Sequence, residues 1–297
     1  MNICRTKQQL KLAVREAQKQ HLTIGFVPTM GYLHEGHASL LREARADNDI
    51  VVLSIFVNPM QFGPNEDLDR YPRDEERDIA LAASCGTDIV FLPTAEEMYP
   101  KKPLTTIKVE EVTKRLCGAS RPGHFDGVGL VVSKLFHLVQ PNKAYFGMKD
   151  AQQVAVIEQM VQDLDMNVEI VPCPIIREPD GLALSSRNVY LSALHRVEAT
   201  SLSLSLNRLH HKFIDNANIT PDESIAFVRD EILTNTTGEI DYIELLHYPS
   251  LTVVDGQVSI GESLDNQRFI VAVAVKFGTT RLIDNALFQV GEVIERV

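Results

Sequence analysis

Thr23-Ile24-Gly25-Phe26-Val27-Pro28-Thr29-Met30-Gly31-Tyr32-Leu33-His34-Glu35-Gly36-His37 changes period part-way along, and that change decides the fold. Thr23–Thr29 reads as a strand, Gly31 permits a tight turn, and Glu35–Ala46 reads as a helix. Downstream, Ile50–Val57 (IVVLSIFV) is a near-continuous apolar run, as in a parallel strand buried on both faces. Asp74–Ser84 reads as a helix stopped at Gly86, and Asp88–Leu92 as a strand closed by Pro93. Helices are expected over Phe125–Val139 and Asp150–Leu164, and strands over Lys143–Phe146 and Val168–Val171. This alternation predicts an α/β fold with a doubly wound, Rossmann-like parallel sheet and a ligand at the carboxyl ends of its strands. After about Ile176 the pattern changes. Long helical stretches at Ser192–Phe213 and Asp222–Leu233 precede strands at Ile240–Leu246, Phe269–Val275 and Arg281–Ala286, a smaller α+β domain. Prolines at Pro172–Pro174 suit the join, giving domains 1–175 and 176–297.

At 297 residues the chain has room for two such domains. Apolar residues make up 44% and charged residues 23%, the balance of a soluble globular protein. Lys plus Arg number 29 against 40 Asp plus Glu, a net charge of -11, which argues against nucleic acid as the main partner. Cys4, Cys85, Cys117 and Cys173 lie far apart with no CxxC pair, so neither a disulfide framework nor a zinc site is expected. The N-terminal stretch MNICRTKQQLKLAVREAQKQ is polar with helical spacing. It has no signal core, and no apolar run reaches the roughly 20 residues needed to span a bilayer, so a cytoplasmic protein is expected.

His34 and His37 are three apart and project from one face of the first helical turns. Gly36 between them lets a flat base or ribose approach the backbone, and a helix N-terminus offers N–H groups to an anion. Taken alone, HxxH is more often a surface pair, and it can also bind metal, though no third ligand is evident nearby. The strand-turn-helix setting favours nucleotide binding. The motif resembles the HIGH motif of the nucleotidyltransferase superfamily, whose members attack the α-phosphate of a nucleoside triphosphate.

Further segments carry polar groups after predicted strands. Asn58 and Gln61 in Ser54–Gly63 supply neutral amides, though Asn-Pro followed by Gly-Pro also reads as a turn. In Arg121–Val128, Asp126 reads as a helix cap, and Arg121 reads as a residue that could face an anion, though a lone Arg more often lies on a solvated surface. In Ala144–Gln153, Gly147 allows close approach, Lys149 at a helix start calls for an anion, and Gln153 shares its face. Arg177–Asn188 holds two hydroxyls and an Arg suited to phosphate.

Together PTMGYLHEGH, FVNPMQFG, FGMKDAQQ, LSSRN and the near-terminal Thr280–Asn285 closely resemble the pantothenate synthetase (pantoate–β-alanine ligase) family. Departures from the family's usual pattern are small: Met148 in place of Glu, Ala151 in place of a larger residue, and Gly129-Leu130 where Thr is common. The resemblance implies ATP with Mg²⁺, pantoate and β-alanine as small-molecule partners, a pantoyl-adenylate intermediate, a homodimer, and no protein ligand that can be named for the metal. It places ATP on Met30, Gly31, Tyr32, Leu33, His34, Glu35, Gly36, His37, Gly147, Met148, Lys149, Asp150, Ile176, Leu184, Ser185, Ser186 and Arg187. It places pantoate on Gln61 and Gln153 and β-alanine on Gln61, with His34, His37, Lys149 and Arg187 in catalytic roles. Rival readings are a nucleotidyltransferase for a phosphorylated acceptor, a tRNA synthetase, and a non-catalytic nucleotide-binding regulator. The neutral Gln61 and Gln153 speak against the first, and the net charge of -11 against the second. A regulator needs no such set of His34, His37 and Lys149. The long Pro59–Arg73 connection is expected to act as a lid, and the second domain as a cover hinged near Pro172–Pro174.

Overall fold

The computed structural model describes residues 1–64, 66–215, 218–260 and 267–289. Asn65, in the expected lid, and residues 216–217, 261–266 and 290–297 of the expected C-terminal domain lie outside the described residues. In chain order the elements are β1 (Asn2–Cys4), α1 (Lys7–Lys19), β2 (Ile24–Thr29), α2 (Glu35–Asp47), β3 (Ile50–Ile55), α3 (Glu75–Ser84), β4 (Ile89–Phe91), α4 (Ala95–Met98), α5 (Leu116–Ser120), α6 (His124–Val139), β5 (Lys143–Gly147), α7 (Ala151–Asp163) and β6 (Glu169–Cys173). There follow α8 (Ala193–Glu198), α9 (Ser201–Asp215), α10 (Pro221–Asn235), β7 (Glu239–His247), β8 (Arg268–Phe277) and β9 (Thr280–Gln289).

The chain divides into two compact units, Met1–Glu110 with Arg121–Met148 and Val156–Cys173, and Glu111–Ser120 with Lys149–Ala155 and Pro174–Val297. The first unit holds a six-stranded sheet in the order β1-β4-β3-β2-β5-β6, every pair parallel. Inside β1 the order runs outward from β2 in both directions, so the sheet is doubly wound and its switch point lies between β2 and β5. Val27, Val51, Leu53, Val90 and Tyr145 from the sheet pack with Leu33, Leu41 and Ala44. β3 is buried over its four central residues, as its unbroken apolar run requires.

Two expectations for this unit are revised. The polar N-terminus contains an edge strand, β1, before α1, which starts at a Thr6–Gln9 capping box. Pro172 does not break regular structure. It lies inside β6, which pairs with β5 alone, and an edge strand tolerates a residue without an N–H.

The second unit holds an antiparallel sheet in the order β7-β8-β9. Its central strand β8 packs Phe269, Val271, Val273 and Val275 against Leu202, Leu206, Leu209 and Phe213 of α9 and Val228 and Ile232 of α10. The expected single helix Ser192–Phe213 is two helices, α8 and α9. At the break the Thr200 hydroxyl donates to the Val197 carbonyl at 2.7 Å, a side-chain bond that competes with the helical ladder. No helix among the described residues is long and apolar enough to cross a membrane.

Candidate active site

The turn after β2 is held from three sides. Thr29 Oγ1 donates to the Ser54 carbonyl at 2.9 Å and accepts from Gly31 N at 3.2 Å. Gly31 has φ +86°, and a Cβ there would stand 2.8 Å from Ile55 Cγ2 and 3.1 Å from Asp78 Oδ2, so glycine is required. The Asp78 carboxylate of α3, 1% exposed, accepts from Tyr32 N at 2.8 Å and Leu33 N at 2.6 Å. Burial pushes the Asp78 carboxyl above its ordinary range, against the pull of these two N–H donors. Leu33 is fully buried, so its side chain is core, while the Tyr32 ring lies 4.9 Å from the Arg77 guanidinium.

The helix N-terminus differs from the open anion nest expected. His34 is the N-cap of α2, and its Nδ1 accepts from Gly36 N at 3.1 Å. His37 Nδ1 accepts from His34 N at 3.2 Å, completing a capping box built of two imidazoles. The rings therefore consume N–H groups expected to face a ligand. The same bonds set the tautomer: a ring accepting at Nδ1 carries its proton on Nε2 when neutral. Both histidines thus present Nε2–H donors, on rings 4.1 Å apart. The Glu35 carboxylate pairs with Arg42 at 2.6 Å.

After β3, Asn58 caps a 3-10 turn, Pro59–Gln61. Gln61 is 8% exposed, with its Nε2 3.1 Å from Met30 Sδ. Arg121 is not a solvated surface residue. It grips Glu66 through Nε at 2.7 Å and Nη2 at 2.5 Å, and its Nη1 lies 3.1 Å from His124 Nε2. With the guanidinium donating to Nε2, His124 carries its proton on Nδ1 and donates it to the Gln61 carbonyl at 2.8 Å. Asp126 does not cap α6: the N-cap is Gly123, and Asp126 sits in the first turn, where its charge complements the dipole.

β5 ends at Gly147, where a Cβ would meet nothing within 4 Å, and runs into a 3-10 turn, Met148–Asp150. Met148 is 3% exposed. In the second unit Lys149 has Asp150 at 3.7 Å, so the anion its position calls for is partly supplied by its neighbour. Gln153 is half-buried on α7. Leu184 N donates to the Ile176 carbonyl at 3.0 Å. Ser185 Oγ accepts from Arg187 N at 3.2 Å, capping a turn in which Ser186 is buried. Arg177 forms a fork with Asp284 at 2.6 and 2.9 Å. Asn285 donates to the Lys149 carbonyl at 3.1 Å, so Asp284-Asn285 of β9 tie down two of the motif segments. Within the first unit the structure thus brings together Met30 with Gln61 and His34 with His37. Asn58, His124 and Asp284, which lie in the quoted segments, do supporting work, as does Asp78, which no local signal announced.

The first unit is thus a doubly wound parallel α/β sheet whose second strand leads into an imidazole-capped helix. The family model described as pantoate-beta-alanine ligase matches residues 2–287. A pantothenate synthetase from Acetivibrio thermocellus is 51% identical over 98% of this chain and 100% of its own length, and one from Bacillus cereus is 53% identical over the same shares. The solved pantothenate synthetase of Thermus thermophilus is 44% identical, with a TM-score of 0.87 over 96% of this chain and 98% of that one. A pantoate-beta-alanine ligase of Francisella tularensis, described as complexed with beta-gamma ATP and beta-alanine, is 35% identical with a TM-score of 0.74 over 96% and 97%. The chain belongs to the pantoate-beta-alanine ligase family, and it is a ligase of pantothenate biosynthesis.

Proposed function

We propose that this enzyme condenses pantoate with β-alanine at the expense of ATP, through enzyme-bound pantoyl adenylate. The pantoate carboxylate oxygen attacks the α-phosphorus, and the bond to the bridging oxygen breaks with pyrophosphate leaving. The β-alanine amine then attacks the acyl carbon, loses a proton, and expels AMP to leave pantothenate. The observation that carries this reading is the pair of Nε2–H donors set by the imidazole capping box at the end of β2. Preorganised donors of that kind stabilise charge developing on a phosphate chain.

His34 and His37 are assigned to the phosphates, with Lys149, Ser185, Ser186 and Arg187 as further phosphate donors. Met30–His37, Gly147–Asp150, Ile176 and Leu184 are assigned to ATP, Gln61 and Gln153 to pantoate, and Gln61 also to β-alanine. Magnesium enters with the substrate, on the triphosphate oxygens and water. A homodimer is carried over from the family resemblance, and a cytoplasmic location from the sequence. The test is pyrophosphate formation in mixtures lacking one component at a time. Pyrophosphate is expected only when ATP, Mg²⁺ and pantoate are all present, at about one equivalent per active site, with sustained turnover and free AMP only when β-alanine is added. Turnover independent of pantoate would overturn the reading.

A further inference from the structure

The polar groups around Gln61 have determinate directions. Met60 N can only donate, and it donates to Asn58 Oδ1 at 3.2 Å. The Gly127 carbonyl can only accept, and it receives Asn58 Nδ2 at 3.0 Å. These two backbone groups, one donor and one acceptor, leave the Asn58 amide a single orientation. The Tyr99 hydroxyl reinforces it by donating to the same Oδ1 at 3.1 Å. Burial pushes the Tyr99 phenol up to about 12, so it keeps that proton throughout the neutral range. Asn58 is 1% exposed, so no solvent competes for its bonds. Its second Nδ2 hydrogen then meets Gln61 Oε1 at 3.1 Å, and the Gln61 amide cannot turn over without setting two donors face to face. That leaves Nε2 on the other side, 3.1 Å from Met30 Sδ, a weak acceptor that a carboxylate oxygen replaces at little cost.

We propose that Asn58 and Tyr99 are positioning residues whose bonds hold Gln61 with its amide nitrogen foremost, so that it takes an acceptor-only group, the carboxylate of pantoate. This rests on the reading of Gln61 as a pantoate residue. An amide oxygen in that place would repel the carboxylate, so the orientation itself carries the recognition.

Asn58→Asp keeps the shape and turns the donor facing Gln61 into an acceptor, so Gln61 should reverse and present Oε1. The KM for pantoate is expected to rise about 10- to 100-fold, the worth of one hydrogen bond to a charged group, with the KM for ATP changed by less than about twofold. In a Gln61→Ala background the same substitution should change the pantoate KM by less than about threefold, because its route of action is gone. Tyr99→Phe, a milder variant, should raise the pantoate KM roughly two- to tenfold in the wild-type background and leave it unchanged with Gln61→Ala. Equal effects in both backgrounds would assign Asn58 and Tyr99 a general structural role and overturn the proposal, as would an unchanged pantoate KM in the folded variants. If Asn58→Asp does not fold, the Tyr99→Phe pair decides alone. A wild-type enzyme that makes no pyrophosphate from ATP and pantoate is a separate outcome, and it removes the functional reading instead.

Discussion

His37→Ala is expected to lower turnover by about 10²–10³, the usual cost of removing one preorganised donor to a developing charge. The geometry adds a second, smaller loss. His37 Nδ1 also accepts the His34 N–H in the cap of α2, so the variant should lose on the order of 0.5–2 kcal/mol of stability. His37→Gln separates the two roles. Glutamine is an ordinary partner at this position of a capping box, as Gln9 shows in α1, but it places no ring Nε2–H toward the substrate. Its denaturation midpoint should return toward wild type while steady-state turnover stays low. Turnover that recovers with the midpoint would make His37 a structural cap.

Gly127→Ala should also cost about 10²-fold in kcat/KM for pantoate, although Gly127 carries no side chain. A Cβ there would lie 2.2 Å from the Met60 carbonyl oxygen and 2.7 Å from Gln61 Cα. The Pro59–Gln61 turn would have to retreat by about 1 Å to reach van der Waals contact, and the Asn58 bond to the Gly127 carbonyl would move with it. Overpacking of this kind costs about 1–3 kcal/mol, so chemical denaturation should register the variant as well. The KM for ATP should respond less than that for pantoate, because the histidine turn is held by Asp78 and Thr29 instead. Near-normal pantoate kinetics would mean that α6 and the turn yield freely.

The strands of the parallel sheet were legible because runs such as Ile50–Val57 are buried on both faces and leave a periodic mark. The short β1 left none: three residues at a sheet edge, two of them exposed, have no pattern to distinguish them from a loop. The histidine motif was legible as a strand-turn-helix junction, but the direction of its nitrogens was not, since that follows from backbone N–H groups only the folded turn brings within reach. Asp78 serves a turn 45 and 46 positions away, so no local spacing marks it, and although Asn58 stands out as a neutral amide, its partner Gly127 lies 69 positions on and does not. Arg121 read as a solvated cation for the same reason, its partner Glu66 lying 55 residues upstream. The break between α8 and α9 was missed because a threonine hydroxyl inside an amphipathic run barely disturbs the pattern.

Whether an adenylate forms before the amine is used decides the mechanism. A rapid-quench measurement with ATP labelled in the γ-phosphate, Mg²⁺ and pantoate, but no β-alanine, follows pyrophosphate directly. The expected result is a burst of about one equivalent per active site, followed by near-arrest until β-alanine releases the bound AMP. Pyrophosphate that appears only when β-alanine is present would contradict a bound acyl adenylate, and with it the roles assigned to His34, His37 and Gln61.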